Sequence, residues 1–152
     1  MEADHVTVRQ LSQGRRASGA LLALLTTAVV LSACGGGPSG GAPPLVRVSE
    51  RDFKIQAPRT VRAGVVRLRL SNRGPDTHEL LVVRLGGPLP LRRDGLTVDE
   101  DALEPRIAAT VEGVERGGAH EERVKLPPGQ YILFCNMAGH YLAGMHARLT
   151  VR

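Results

Sequence analysis

The sequence predicts an all-β domain of seven to eight strands, either a β-sandwich or a Greek-key barrel, with a short helix in an insertion. Apolar residues alternate with charged ones along much of residues 45–152, which is typical of half-buried strands. Turn residues interrupt this pattern at short intervals, and eighteen Gly and ten Pro argue against a long helical bundle. So many short strands suit a β-sandwich or a Greek-key barrel better than one open sheet.

Five apolar runs predict the clearest strands. In residues 66–70, 123–126 and 147–151, apolar side chains alternate with Arg, Lys or Thr, so one face of each strand is expected to be buried. Residues 80–83 and 131–134 are continuous apolar runs, as in strands that are covered on both faces.

Residues 85–118 form the least strand-like stretch, and we interpret them as an insertion that contains the short helix. Thr97 followed by Glu100 matches a capping box, in which the two side chains satisfy free N–H groups at a helix start. The first turns would then span residues 99–103, before Pro105 interferes with continuation of the helix.

The amino-terminal segment has the features of an export signal. Arg15 and Arg16 precede an apolar run at residues 20–30 that is too short to span a bilayer. The run ends in Leu-Ser-Ala-Cys34, which resembles the lipobox of bacterial lipoproteins, in which the Cys is acylated and becomes the new amino terminus. An ordinary signal peptide with an incidental Cys is the alternative. Gly- and Pro-rich residues 35–44 favour the lipoprotein, because they suit a flexible tether.

The net charge is +5, and it is spread along the chain without a Lys/Arg cluster interleaved with aromatic residues. Aromatic residues make up 3% of the chain, which leaves little for stacking on bases. We therefore expect no nucleic-acid partner. The charge favours solubility and an acidic partner, and we expect a monomer.

Three residues with metal-binding side chains recur at short intervals near the carboxyl end. Cys135, His140 and Met145 lie at the end of one predicted strand and in the loop before the next. A thiolate, an imidazole and a thioether together favour copper, whereas zinc normally takes four strong ligands. A second imidazole must come from elsewhere. His78, at the start of an apolar run, is better placed than His120 in a polar segment or His146 at a strand start.

Two segments resemble the cupredoxins, the plastocyanin and azurin type of blue copper protein. They are Tyr-Ile-Leu-Phe-Cys-Asn-Met-Ala-Gly-His-Tyr-Leu-Ala-Gly-Met (131–145) and Asn-Arg-Gly-Pro-Asp-Thr-His (72–78). The resemblance implies a Greek-key sandwich with one type 1 copper ion bound by His78, Cys135, His140 and Met145. It also implies single-electron transfer between membrane-associated redox partners. The ligand spacing mixes azurin and plastocyanin patterns, as in auracyanin-like members. Many relatives place Asn after the first His, where this chain has Glu79.

We therefore divide the chain into a cleaved signal peptide (1–33), acylated Cys34 with a flexible linker (34–44), and a copper-binding cupredoxin domain (45–152). The protein is expected to be exported and lipid-anchored to the cell membrane, facing the periplasm or the extracellular side. A structural immunoglobulin-like lipoprotein is the alternative without a metal.

Given copper, the sequence favours an electron carrier with transient redox partners over an enzyme. No His-x-His pair is present for an additional metal site, and Cys135 is the one Cys left for a metal in the mature chain. The other interpretation is a copper-delivery or storage lipoprotein. Electrons are expected to pass through the edge of His140, within an apolar patch formed by Met137, Ala138, Tyr141, Leu142 and Ala143.

Overall fold

A computed structural model of the chain describes residues 41–152. The predicted signal peptide, Cys34 and most of the predicted linker lie outside these residues. No helix within residues 41–152 is long and apolar enough to cross a membrane. The strands in this part of the chain are β1 (Leu45–Arg51), β2 (Lys54–Gln56), β3 (Thr60–Val61), β4 (Gly64–Asn72), β5 (His78–Arg84), β6 (Ile107–Val114), β7 (Ala119–Leu126), β8 (Gly129–Phe134) and β9 (His146–Val151).

The strands form two sheets that pack face to face. One sheet has the order β2-β1-β4-β7 and the other the order β3-β9-β8-β5-β6. Strands β1 and β4 are parallel, as are β3 and β9, and the remaining pairs are antiparallel. The predicted β-sandwich is confirmed, and the very short strands β2 and β3 take the count beyond the predicted seven or eight.

Alternation places the core between the sheets. Val66, Leu68 and Leu70 of β4 are buried, while Arg67 and Arg69 face outward. The main apolar cluster combines such inward residues from both sheets. A second, smaller cluster covers the other side of the five-stranded sheet, where Val98 and Leu103 of the insertion pack.

The insertion differs from the prediction in two ways. It contains the eight-residue strand β6, which pairs with β5 and whose first residues are Ile-Ala-Ala-Thr, too small and weakly patterned to predict a strand. The helix is a 3₁₀ helix over Asp101–Arg106 rather than one starting at residue 99, and it has no side-chain cap from Thr97. The Thr97 hydroxyl bonds instead to Asp94 at 2.9 Å, which closes a turn ahead of the helix.

Strand pairing brings the predicted ligands to one end of the sandwich. Leu81 of β5 lies opposite Phe134 of β8 in antiparallel register, so the start of β5 lies beside the end of β8. His78 begins β5, and Cys135 follows β8 directly. In the facing sheet, Glu50 of β1 lies opposite Asn72 of β4 at the same end of the sandwich.

Candidate metal centre

The loop from Cys135 to Met145 is folded back on itself by its own backbone. The Cys135 N–H donates to the Met145 carbonyl at 3.2 Å, and the Met145 N–H donates to the His140 carbonyl at 3.0 Å. Gly139 and Gly144 adopt φ angles of 81° and 95°, which side-chain-bearing residues rarely adopt. The loop therefore returns its first, middle and last residues to the same place.

The structure brings His78, Cys135 and His140 together. The Cys135 Sγ lies 3.9 Å from Nδ1 of His78 and 3.5 Å from Nδ1 of His140. The three ligand atoms all lie within 4.8 Å of one another. His78 and Cys135 are fully buried, whereas His140 keeps partial exposure. Met145, the fourth predicted ligand, is buried in the same apolar cluster as Cys135.

These distances suit a single metal ion. Bonds of about 2.0 to 2.3 Å to nitrogen and sulfur in a trigonal arrangement separate the donor atoms by about 3.7 Å. The Sγ to Nδ1 distances of 3.9 and 3.5 Å bracket that value. The donor set is thus compatible with an ion before any side chain moves.

Protonation of the donors is set mainly by burial. Burial raises the pKa of the Cys135 thiol to about 11, and the carboxyl groups of Glu50 and Glu79 add to the shift. The backbone N–H groups of Glu79 and Met137, which hydrogen-bond the sulfur, act in the opposite direction. Burial and the neighbouring His140 ring lower the pKa of His78, so this imidazole stays neutral and keeps a lone pair for a metal.

Asp52 and Gly74 support the far side of the His78 ring. The His78 Nε2 lies 3.4 Å from Oδ1 of Asp52, and neither atom has a hydrogen-bond partner among the described residues. A methyl group on Gly74 would lie 2.5 Å from that oxygen and 2.9 Å from Nε2. Gly74 is therefore needed for the close approach of the backbone. Asp52 is placed to accept a hydrogen bond from the Nε2–H group when Nδ1 binds a metal.

Asn72 holds the segment that precedes His78. Its side-chain oxygen accepts a hydrogen bond from the Gly74 N–H at 2.8 Å. Its amide nitrogen donates to the carbonyls of Asp76 and Val114 at 2.6 and 2.8 Å. A single buried amide thus joins the turn before His78 to strand β6, and this restricts the position of the ring.

Glu79 connects the two segments that carry the predicted ligands. Its carboxyl group accepts a hydrogen bond from the Asn136 backbone N–H, while its own backbone N–H bonds to the Cys135 sulfur. The Asn136 side chain bonds to both backbone groups of Val98 at 2.6 and 3.0 Å and to Glu100 at 2.8 Å. The insertion is therefore fastened directly to the loop that contains Cys135.

Glu50 is a buried acid next to this centre that the sequence analysis did not single out. It is 0% exposed, and neither carboxyl oxygen has a hydrogen-bond partner among the described residues. Burial, followed by the charge of Glu79, raises the pKa of Glu50 to about 8. The only signal in the sequence is its position, because alternation in β1 puts Glu50 on the same side as Val46 and Val48.

The other two histidines within residues 41–152 are not part of the cluster. His120 in β7 and His146 at the start of β9 are both exposed. The ring of Phe53, which has a φ angle of 59°, meets that of His140 edge to face with a centroid separation of 5.5 Å. Phe53 is 52% exposed and extends the apolar surface around His140.

No protein-family model matches the sequence, and no curated protein matches it. The chain is nevertheless similar in fold to several solved structures. A dithionite-reduced auracyanin from Roseiflexus castenholzii is 20% identical over 74% of this chain and 99% of that one, with a TM-score of 0.54. Auracyanin A, a "blue" copper protein from Chloroflexus aurantiacus, is 19% identical over 73% of this chain and 100% of that one, with a TM-score of 0.55.

Rusticyanin from Thiobacillus ferrooxidans is 14% identical over 73% of this chain and 79% of that one, with a TM-score of 0.54. These proteins share the cupredoxin β-sandwich, which this chain also adopts. The fold that the resemblance implied is thereby confirmed, while the assignment of His78, Cys135, His140 and Met145 as ligands stays a prediction.

Proposed function

We propose that this chain is a type 1 blue copper protein that carries single electrons between transient redox partner proteins. The observation that supports this most directly is the approach of two Nδ1 atoms to one buried sulfur at 3.5 and 3.9 Å, at the end of a cupredoxin sandwich. In this assignment His78, Cys135 and His140 would hold the ion, and Met145 would supply a weaker thioether ligand.

Copper suits this donor set better than zinc does. A thiolate, two imidazoles and a thioether accommodate both Cu(II) and Cu(I), so the bound ion can accept and release one electron. Zinc favours four strong ligands and gains little from a thioether. Loading also removes the proton that the thiol holds at neutral pH, since the pKa of Cys135 is about 11.

The chain's own residues would restrain the site in both oxidation states. His78, Cys135 and Met145 are fully buried, and backbone hydrogen bonds join Cys135, His140 and Met145 to one another. Such a closed, braced site has no open position for a substrate, which favours a carrier over an enzyme.

Electrons are proposed to pass through the edge of His140. This ring is the partly exposed member of the cluster, and the residues of the apolar patch defined above flank it in the sequence. Met137 and Leu142 in that patch are 37% and 51% exposed. An apolar surface excludes water when a partner docks, and small interfaces of this kind suit brief encounters.

We further propose that acylated Cys34 anchors the protein in the cell membrane, outside the cytoplasm, and that residues 34–44 tether the domain. The support is the sequence Leu-Ser-Ala-Cys after a short apolar run. Several acyl chains give stable anchoring where one alone is marginal. Mass spectrometry of membrane-extracted protein tests this: an acylated peptide that begins at Cys34 is expected, and an unmodified peptide containing residues upstream of Cys34 would contradict it.

The function is tested by reconstituting the purified chain with Cu(II) and recording its visible spectrum. An intense band from thiolate-to-copper charge transfer is expected. His78→Ala should lose the band, and His120→Ala, which removes an exposed imidazole, is the matched control. A colourless wild-type protein, or loss of the band in the control with retention in His78→Ala, would overturn the assignment.

A second measurement separates the carrier from a copper-delivery or storage protein. The reconstituted chain is examined by voltammetry and by copper transfer to a chelator. A carrier gives a reversible one-electron wave and slow loss of copper, because the ligands are held in a rigid frame. Rapid loss of copper together with poor reversibility would instead favour delivery.

A further inference from the structure

The outer face of the four-stranded sheet is crowded with cationic side chains. Alternation in β1 and β4 directs Arg47, Arg67 and Arg69 away from the core, and register places Arg47 beside Arg69. Arg67 lies directly opposite Arg123 of β7. We call this surface the basic face; its members are Arg47, Arg51, Lys54, Arg67, Arg69, Arg73, Arg123 and Lys125.

Most of these cations have no partner within residues 41–152. Glu121 lies on the same face and bridges Arg67 at 3.2 Å and Arg69 at 3.6 Å. No described carboxylate lies within ion-pair distance of the remaining six members, and their side chains make no hydrogen bonds to described residues. Like charges on neighbouring strands destabilise a sheet, so this arrangement is costly unless a partner neutralises it.

Two neighbouring hollows shape the end of the basic face that is nearest the metal centre. One, of about 520 Å³, is lined by Ser49, Arg51, Lys54, Gln56 and Arg73. The other, of about 420 Å³, shares Arg51 and Arg73 with the first and continues to Arg116, Asp52 and Gly74. Because Asp52 and Gly74 contact the His78 ring, the basic face extends to the rim of the metal centre.

Charge is distributed unevenly across the sandwich. Acidic residues are concentrated in residues 94–104 of the insertion, which covers the outer side of the opposite sheet. The domain therefore has a positive side and a side richer in negative charge. Such an asymmetry orients the domain in the field of a charged partner before contact.

We propose that the basic face is the docking surface for a protein partner that presents clustered carboxylates. Arginine is well suited to this role because its guanidinium group binds carboxylates in a bidentate manner. Two large apolar side chains are exposed at its edges, Val65 and Phe53, and Phe53 packs on the His140 ring; two separate side chains offer little for insertion into a bilayer, which favours a protein over a lipid surface. This surface shares no residue with the apolar patch around His140. That the partner exchanges electrons rests on the proposed function, whereas the binding itself requires no metal.

Binding of fluorescein-labelled poly-L-glutamate to the full chain tests the surface, measured by fluorescence anisotropy with and without copper. The variant Arg51→Glu with Arg73→Glu should weaken binding about tenfold, and added salt should weaken binding to the wild type. The control is Arg62→Glu with Arg93→Glu, which makes the same charge change at exposed residues outside the basic face. It should bind nearly as well as the wild type.

Equal weakening by the two double variants would show a general charge effect and overturn the proposal. Vesicles containing phosphatidylglycerol and a DNA duplex form two further arms. If the Arg51/Arg73 variant loses more binding to either of these than to polyglutamate, the acidic-protein assignment is wrong. The copper spectrum of the variant should match the wild type. If the wild-type chain binds polyglutamate but stays colourless with copper, the proposed function is refuted and the docking proposal is not.

Discussion

Replacing Glu50 with Gln should stabilise the metal-free protein increasingly as the pH rises. Glu50 is fully buried with both carboxyl oxygens unpartnered among the described residues, and its pKa is raised from 4.5 to about 8. Gln keeps nearly the same shape but has no proton to lose. The substitution therefore isolates the cost of keeping an acid in this position.

The magnitude follows from the shifted pKa. Between pH 4.5 and 8 the folded protein retains a proton on Glu50 that the unfolded chain has released. Its contribution to the free energy of unfolding therefore falls as the pH rises, by about 1.4 kcal/mol for each pH unit. At pH 7 the accumulated loss is about 3 kcal/mol relative to pH 4.5. Below pH 4.5 both states hold the proton, and the contribution no longer changes.

Urea unfolding of the metal-free full chain at several pH values between 5 and 8 measures this contribution. The difference between Glu50→Gln and wild type should increase with pH at about the slope given above, whatever constant offset the buried amide introduces. Glu104→Gln, at an exposed site in the 3₁₀ helix, is the matched control and should give a flat difference. Parallel pH profiles for Glu50→Gln and wild type would refute the reasoning.

Four other changes test the metal centre. Gly74→Ala should weaken copper binding and alter the spectrum, because the added methyl group would displace the contacts behind the imidazole. In the control Gly86→Ala, a methyl group would meet nothing closer than 3.6 Å, so neither copper binding nor the spectrum should change. Equal spectra for the two variants would contradict this prediction. Cys135→Ser should abolish the visible band. For the wild type, calorimetry in buffers of different ionisation enthalpy should show that metal loading releases about one proton. If no proton is released, the thiol is not protonated in the metal-free protein. Met145→Leu should shift the reduction potential measured by voltammetry while copper is retained, and complete loss of copper would show a stronger role for the thioether. Leu142→Asp should slow electron transfer to a protein partner in stopped-flow measurements while the spectrum stays unchanged, and an altered spectrum with unchanged rates would rule out the docking role.

Strands with regular alternation could be predicted from the sequence because their two faces meet different environments. Val66, Leu68 and Leu70 show this, as inward neighbours of two outward arginines. Strand β6 could not be predicted, since its small residues lie at a sheet edge and show weak periodicity. Strands β2 and β3, which have three and two residues, are too short to show a periodic pattern in the sequence.

The grouping of Cys135 with His140 was predictable because only four residues separate them, whereas the supporting residues depend on distant contacts. Asp52 reaches His78 from the turn between β1 and β2, and nothing in the local sequence indicates that contact. The role of Gly74 could not be predicted either. A Gly beside Pro predicts a turn, but it does not reveal that a Cβ at this position would clash with the His78 imidazole. Such requirements arise from packing between segments.

The spacing of the ligands along the chain has a consequence for the order in which the holoprotein assembles. His140 follows Cys135 by five residues, but His78 precedes it by 57. Closing a short chain segment around an ion costs less conformational entropy than closing a long one. An unfolded chain that meets copper should therefore capture it first with the carboxyl-terminal ligands, and the imidazole from β5 should join last, when β5 pairs with β8.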